Sequence, residues 1–144
     1  MSFQNPSRDE IGTLLQQAGN IAVVGLSDKP DRTSYMVSQA MQSRGYRIIP
    51  VNPAAAGAEI LGETCYASLA DVPEPIDIVD VFRRSEFCAD VAREAVSAGA
   101  KTLWLQSGVY NDEAAEIAGS AGLTVIMDRC IKVEDAVTGA GSRR

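Results

Sequence analysis

Three observations predict a single doubly wound α/β domain with a mostly parallel sheet of about five strands. Short β-branched runs alternate with segments of helical periodicity along most of the chain. Glycines stand where the helical segments stop. With 144 residues there is room for one core of ordinary size, and no segment is set apart by composition or repeat.

The elements follow in order. Ser7-Arg8-Asp9-Glu10 has the form of a capping box, and Ile11, Leu14, Leu15 and Ala18 follow at helical spacing before Gly19, so residues 1–19 should carry a leading helix packed on the domain. Ile21 to Leu26 is a continuous apolar run that suits a central strand covered on both faces. A helix is expected from about Thr33 to Arg44, closed by Gly45, then a second strand from Tyr46 to Val51 whose Pro50 removes one ladder bond. Asn52 to Pro75 has no clear crossover helix, with Ala67–Asp71 as a short candidate. Ile76–Phe82 reads as a strand, Ser85–Ser97 as a helix ended by Gly99, and Thr102–Gln106 as the fourth strand. Asn111-Asp112-Glu113 opens a helix that runs to Gly122, and Leu123–Met127 is the fifth strand. Right-handed crossovers return each strand parallel to the last, which makes the domain, residues 20–137, Rossmann-like. Residues 138–144 are expected to fray.

Composition excludes several chemistries. Apolar residues at 46% and charged residues at 22% describe a chain able to bury a core, not a disordered one. The formal charge of −6 argues against a protein built to hold a nucleic acid, although a few local donors suffice for one nucleotide. With no histidine there is no Ser-His or Cys-His dyad, imidazole metal ligand or phosphohistidine. Cys65, Cys88 and Cys130 are odd in number and far apart, so neither a disulfide framework nor a metal site is expected, and a reducing cytoplasm is the simplest location. No leader and no membrane span are legible.

Ligands of such a sheet sit beyond the carboxyl ends of the strands, where strand order reverses. Those ends are Gly25-Leu26-Ser27-Asp28-Lys29-Pro30 with Arg32, Val51-Asn52-Pro53, Phe82-Arg83-Arg84, Gln106-Ser107-Gly108 and Asp128-Arg129-Cys130. They are small, polar or cationic, as a phosphate-bearing ligand requires. Gly25 either lets a phosphate approach the backbone or permits a tight turn, Ser27 offers a hydroxyl, and the next helix offers free N–H groups. The pattern is G-x-S-x-x-P instead of G-x-G-x-x-G, and the second strand ends without an acid for a ribose diol, which disfavours NAD. Walker and G-x-S-x-G motifs are absent. An arginine after Phe82 can pair with phosphate while Phe82 packs a base, the alternative being a solvated pair beside a core ring. Asp80, in a buried strand, is read as tied to an arginine or a backbone amide, and Asp77 as capping the strand start, ahead of a general-base role for either. The cysteines and Trp104 are read as core, and Tyr35 as core or as a neighbour of the first loop.

From Ile21 to Val133 the chain resembles the small CoA-binding proteins of the YccU group, whose domain is similar to the N-terminal domain of the succinyl-CoA synthetase alpha subunit. Val24-Gly25-Leu26-Ser27 with Pro30 and Arg32, Ile49-Pro50-Val51-Asn52-Pro53, Leu61-Gly62, Asp80-Val81-Phe82-Arg83, Trp104-Leu105-Gln106 with Gly108, and Met127-Asp128-Arg129-Cys130 carry the likeness. The resemblance implies that Gly25, Ser27, Pro30 and Arg32 surround the CoA pyrophosphate and 3'-phosphate, with Tyr35 nearby. It implies that Val51, Asn52, Pro53, Phe82 and Arg83 line the adenosine side, and that Gln106, Ser107 and Gly108 lie near the pantetheine. Ser107 departs from the hydrophobic residue that often precedes this glycine. The synthetase's phosphohistidine and grasp domain have no counterpart here, so ligase activity by this chain alone is excluded.

With no acid–base pair to name, the expected function is binding of CoA or an acyl-CoA by a non-catalytic module, as sensor, carrier or accessory subunit, with a protein partner or homo-oligomer possible. The alternatives are a small enzyme acting on a nucleotide-linked or acyl-CoA substrate through Asp80 or Cys130, and a structural subunit with a vestigial site. Neither nucleic acid nor membrane is an expected partner.

Overall fold

The computed structural model describes residues 3–141. In chain order the elements are α1 (Arg8–Gln17), β1 (Asn20–Val24), α2 (Thr33–Ser43), β2 (Arg47–Val51), β3 (Glu59–Ile60), β4 (Glu63–Thr64), β5 (Ile78–Val81), α3 (Cys88–Ser97), β6 (Thr102–Leu105), α4 (Asp112–Ser120), β7 (Thr124–Ile126) and α5 (Ile131–Thr138). Five strands form one sheet in the order β2-β1-β5-β6-β7, with every neighbouring pair parallel. The doubly wound α/β fold expected from the alternation is therefore present.

Period-two geometry sends successive side chains of each strand to opposite faces. Val24, Val51, Val79, Val81, Leu103 and Leu105 pack with Val91 and Ala95 of α3 and Ala114 and Ala118 of α4. Ile21, Val23, Ile48, Ile78, Trp104 and Ile126 pack with Ile11 and Leu15 of α1, Val37 and Met41 of α2, and Ile131 of α5. Each large aliphatic side chain buried this way contributes about 1.5–3 kcal/mol, which is why the strands read as unbroken apolar runs.

The capping signals hold. Ser7 and Glu10 form the reciprocal capping box of α1, and the Asn111 side chain accepts the Ala114 N–H at the start of α4. The short helix candidate at Ala67–Asp71 is a 3-10 turn over Leu69–Asp71. Three features depart from the sequence reading. The long connection after β2 also holds a two-stranded antiparallel hairpin, β3-β4, and a 3-10 turn at 53–55. Tyr66 runs beside the end of β2 and covers part of that edge strand. α5 lies where no helix is expected, because its apolar pattern is inverted: Val133 and Val137 face solvent while Glu134 and Asp135 are buried. Finally, the segment expected to fray is packed as far as Ala140, which is fully buried after Gly139 closes α5 in the left-handed region. Residues 142–144 of that segment lie outside the described residues. Among the described residues no helix is long and apolar enough to cross a membrane.

Candidate functional site

The chain passes from β1 to β2 on one side and then returns past β1 to β5 on the other, so strand order reverses between β1 and β5. The crevice beyond their carboxyl ends is the candidate site. Backbone bonds stitch its floor. Gly25 donates to the Val51 carbonyl at 2.8 Å, Phe82 to the Val24 carbonyl at 2.9 Å, and Gln106 to the Val81 carbonyl at 3.3 Å.

Gly25 has φ +88°, and a Cβ built there would run into the carbonyl oxygen of Phe82 and lie 3.2 Å from Cδ of Arg83. The glycine is thus demanded by the approach of the neighbouring strand end, whatever else the turn binds. It also lays the Arg83 stem alongside the first loop. The Arg83 guanidinium stands 5.2 Å from the Phe87 ring centroid.

Ser27 organises the loop from within. Its N–H donates to Ser34 Oγ at 3.0 Å and its Oγ accepts the Lys29 N–H at 3.1 Å. Pro30 and Arg32 are exposed, and Arg32 is the N-cap residue of α2. That helix has no side-chain cap and no acid in its first turn, whereas each of the other four α-helices has an acid there. Its positive end therefore has no acid of its own helix beside it, while Asp28 and Asp31 stand in the preceding loop. Tyr35, in the first turn of α2, is half-buried against the core.

The arginines sort sharply. Arg8, Arg44, Arg47, Arg84, Arg93 and Arg129 each lie within 4.0 Å of a carboxylate. Among the described residues Arg32 and Arg83 alone of their type have no such partner, and both stand on the loops that bound the crevice.

Several of the expected site residues also pack or bond within the protein. The Val51 side chain is buried in the core. The Asn52 amide donates to the Leu26 carbonyl at 3.0 Å and its Oδ1 accepts the Ala54 N–H at 3.0 Å, which ties the β2 loop to the β1 loop. Pro53 is exposed at the start of a 3-10 turn. Phe82 is half-buried. Ser107 and Gly108 are exposed, and the Gly108 N–H donates to Asp128 Oδ1 at 2.7 Å. Asp128 itself has φ +58° and donates its N–H to Val109, so it pins the β6 turn, a role its sequence position did not disclose.

Asp80 corrects an expectation. It is 1% exposed, and its partner is neither an arginine nor a backbone amide but the side-chain Nε2 of Gln106. Burial drives its carboxyl up to about 7 against the opposing effect of that bond. Asp77 meets its expectation: its Oδ2 accepts the N–H groups of Gly19 and Asn20, each at 2.9 Å, and Lys101 Nζ lies 3.4 Å from its Oδ1. Burial pushes the Asp77 carboxyl up, but the two amides and the ammonium outweigh it and hold the group low. Cys65 and Cys88 are buried, and burial raises both thiols, that of Cys88 to about 11. Cys130 is half-buried as the N-cap residue of α5.

Comparison with known proteins locates the chain. The family described as CoA binding domain matches residues 19–136. A Bacillus subtilis protein, YneT, is 55% identical over 136 residues, which cover 94% of this chain and 99% of YneT. A solved structure from Thermus thermophilus has a TM-score of 0.89 at 38% identity and covers 92% of this chain and 99% of its own. The alpha subunit of the Pyrococcus furiosus ADP-forming acetate–CoA ligase I is 27% identical over 97 residues, 65% of this chain but 21% of that subunit.

Proposed function

The chain belongs to the CoA binding domain family, and on that premise we propose that it binds CoA in the crevice between the ends of β1 and β5 as a non-catalytic module. One observation carries this reading beyond family membership: the two arginines without a carboxylate partner flank the crevice, beside the one α-helix that has no acid in its first turn. CoA is a polyanion with a pyrophosphate and a 3'-phosphate. Guanidinium groups and free helix N–H groups are the donors that such groups need. We assign Arg32 to the 3'-phosphate and Arg83 to the adenosine side, with Ser27, Pro30, Tyr35, Pro53 and Phe82 as the surrounding surface. Gly25 shapes the turn, while Val51 and Asn52 support it from behind.

Calorimetry with CoA and dephospho-CoA tests the assignment. Arg32→Ala should lose about 1.5–3 kcal/mol of affinity for CoA and almost none for dephospho-CoA, while Arg83→Ala should lose affinity for both. Thermal shifts should be larger with CoA than with NAD or ATP, because only a ligand of the native state raises its melting temperature. Equal affinities across the four combinations of variant and ligand would remove both arginines from the site. A larger response to NAD than to CoA would reject the ligand class.

A further inference from the structure

The Asp80–Gln106 pair has properties that the binding reading leaves unused. Asp80 lies in β5 opposite Val23 of β1 and Trp104 of β6, and Gln106 follows β6 directly, so the pair sits at the strand ends under the crevice. Gln106 is 4% exposed. Its Nε2 donates to Asp80 Oδ1, its backbone N–H and C=O are taken by Val81 and Val109, and its Oε1 has no hydrogen-bond partner among the described residues. An ionised carboxylate only accepts, so it draws the NH2 end of the amide inward and leaves the carbonyl end outward. A protonated carboxyl can donate to Oε1, which turns the amide over and leaves the NH2 end outward.

We infer that Gln106 is a specificity-determining residue at the crevice floor, and that Asp80 is the positioning residue that decides which end of its amide a ligand meets. With Asp80 ionised the floor presents a hydrogen-bond acceptor, matched to an N–H donor such as the amide and amino groups of CoA. With Asp80 protonated it presents a donor and mismatches the same group. Burial places the Asp80 titration near neutrality, where this exchange has consequences. Among the described residues no charged group competes for Asp80. β1 and β6 present Val23 and Trp104 to it, and α2 has no acid or base among its buried residues. The buried acids of α5, Glu134 and Asp135, are held by Arg8, Arg129 and Arg44, while Asp128 is held by Gly108. Arg83 lies along Gly25 and over Phe87, and Cys130 stands at the N-cap position of α5.

The ligand half of this inference rests on the CoA reading, and the switch itself does not. Two measurements separate them. In the free protein, NMR should show the Gln106 side-chain amide resonances moving with the Asp80 carboxyl carbon on one titration curve. A carboxyl that holds one state from pH 5 to 9, or an amide that ignores its titration, overturns the switch. For the ligand half the probe is dephospho-CoA, whose lack of a 3'-phosphate removes a competing titration. Its affinity for the unmodified protein should fall about tenfold between pH 8.5 and pH 6, as the ionised fraction of Asp80 falls to about one-tenth. In Asp80→Asn, which cannot ionise, the affinity should be level across that range. The same slope in both proteins, or binding that tightens on acidification, overturns the inference. Absence of binding at every pH rejects the CoA reading, and the NMR titration then decides the switch by itself.

Discussion

Two regions of this molecule bury a carboxylate to the same degree and treat it in opposite ways. Asp135 on α5 and Asp80 on β5 are each 1% exposed. Asp135 accepts a bond from Arg44 Nη1 at 3.0 Å and one from the Tyr46 hydroxyl at 2.6 Å, and Arg44 also reaches the Lys132 carbonyl. Asp80 has a neutral amide. A buried acid is thus a fastening where a guanidinium reaches it and a variable where only a neutral amide does. The first kind ties α5 to the end of α2 and to Tyr46. The second stands under the crevice with its charge near balance, the circumstance in which a small perturbation changes the proton count.

The largest effect should come from removing the cation on the fastened side. Arg44→Ala leaves Asp135 buried with only a hydroxyl for company, and should cost about 3–5 kcal/mol by urea denaturation at pH 7. A loss below about 1 kcal/mol would show that the pair stabilises nothing, and the contrast with Asp80 would dissolve.

Asp80→Asn should act through pH. In the unfolded chain an aspartate loses its proton near pH 3.9. In the folded protein Asp80 keeps it to about 7. Between those values the native state holds the extra proton, so its contribution to stability is complete below about pH 4 and is lost as pH rises through 7. Asparagine has no such loss. The stability of the variant relative to the unmodified protein should therefore improve by about 3 kcal/mol between pH 5 and pH 8. An unchanged gap across that range would mean that Asp80 titrates like a solvated acid.

The smallest effect should be that of Arg8→Ala. Glu134 is as deeply placed as Asp135, but Arg8 is 56% exposed and Arg129 lies 3.8 Å from the same carboxylate. Water and the second cation screen the loss, which should stay under about 1 kcal/mol in the same denaturation assay. A loss as large as that of Arg44→Ala would make exposure irrelevant to how these acids are held.

Features that depend on near neighbours along the chain are legible without the fold. Ser7 and Glu10 are three residues apart, so the capping box of α1 is legible before any fold exists. Asn111 caps α4 for the same reason. The apolar runs at Ile21–Val24 and Ile78–Val81 announce strands covered on both faces, and their alternation with helices dictates a parallel doubly wound sheet and thus where its crevice lies. Features that depend on partners far apart in the chain emerge only when the elements pack. α5 hides its acids and exposes Val133 and Val137 because Arg8, Arg44 and Tyr46 arrive from elements about 90 to 130 residues away, and no periodicity within α5 encodes them. The partner of Asp80 is Gln106, 26 residues on, where the strand end by itself suits an arginine or a backbone amide equally. Gly25, Val51 and Asn52 have residue types that suit a ligand, and only the fold shows that the approach of Phe82, the core packing and the Leu26 carbonyl engage them as well. Residue type limits what a side chain can bond, and only the assembled fold determines which of those bonds is already made.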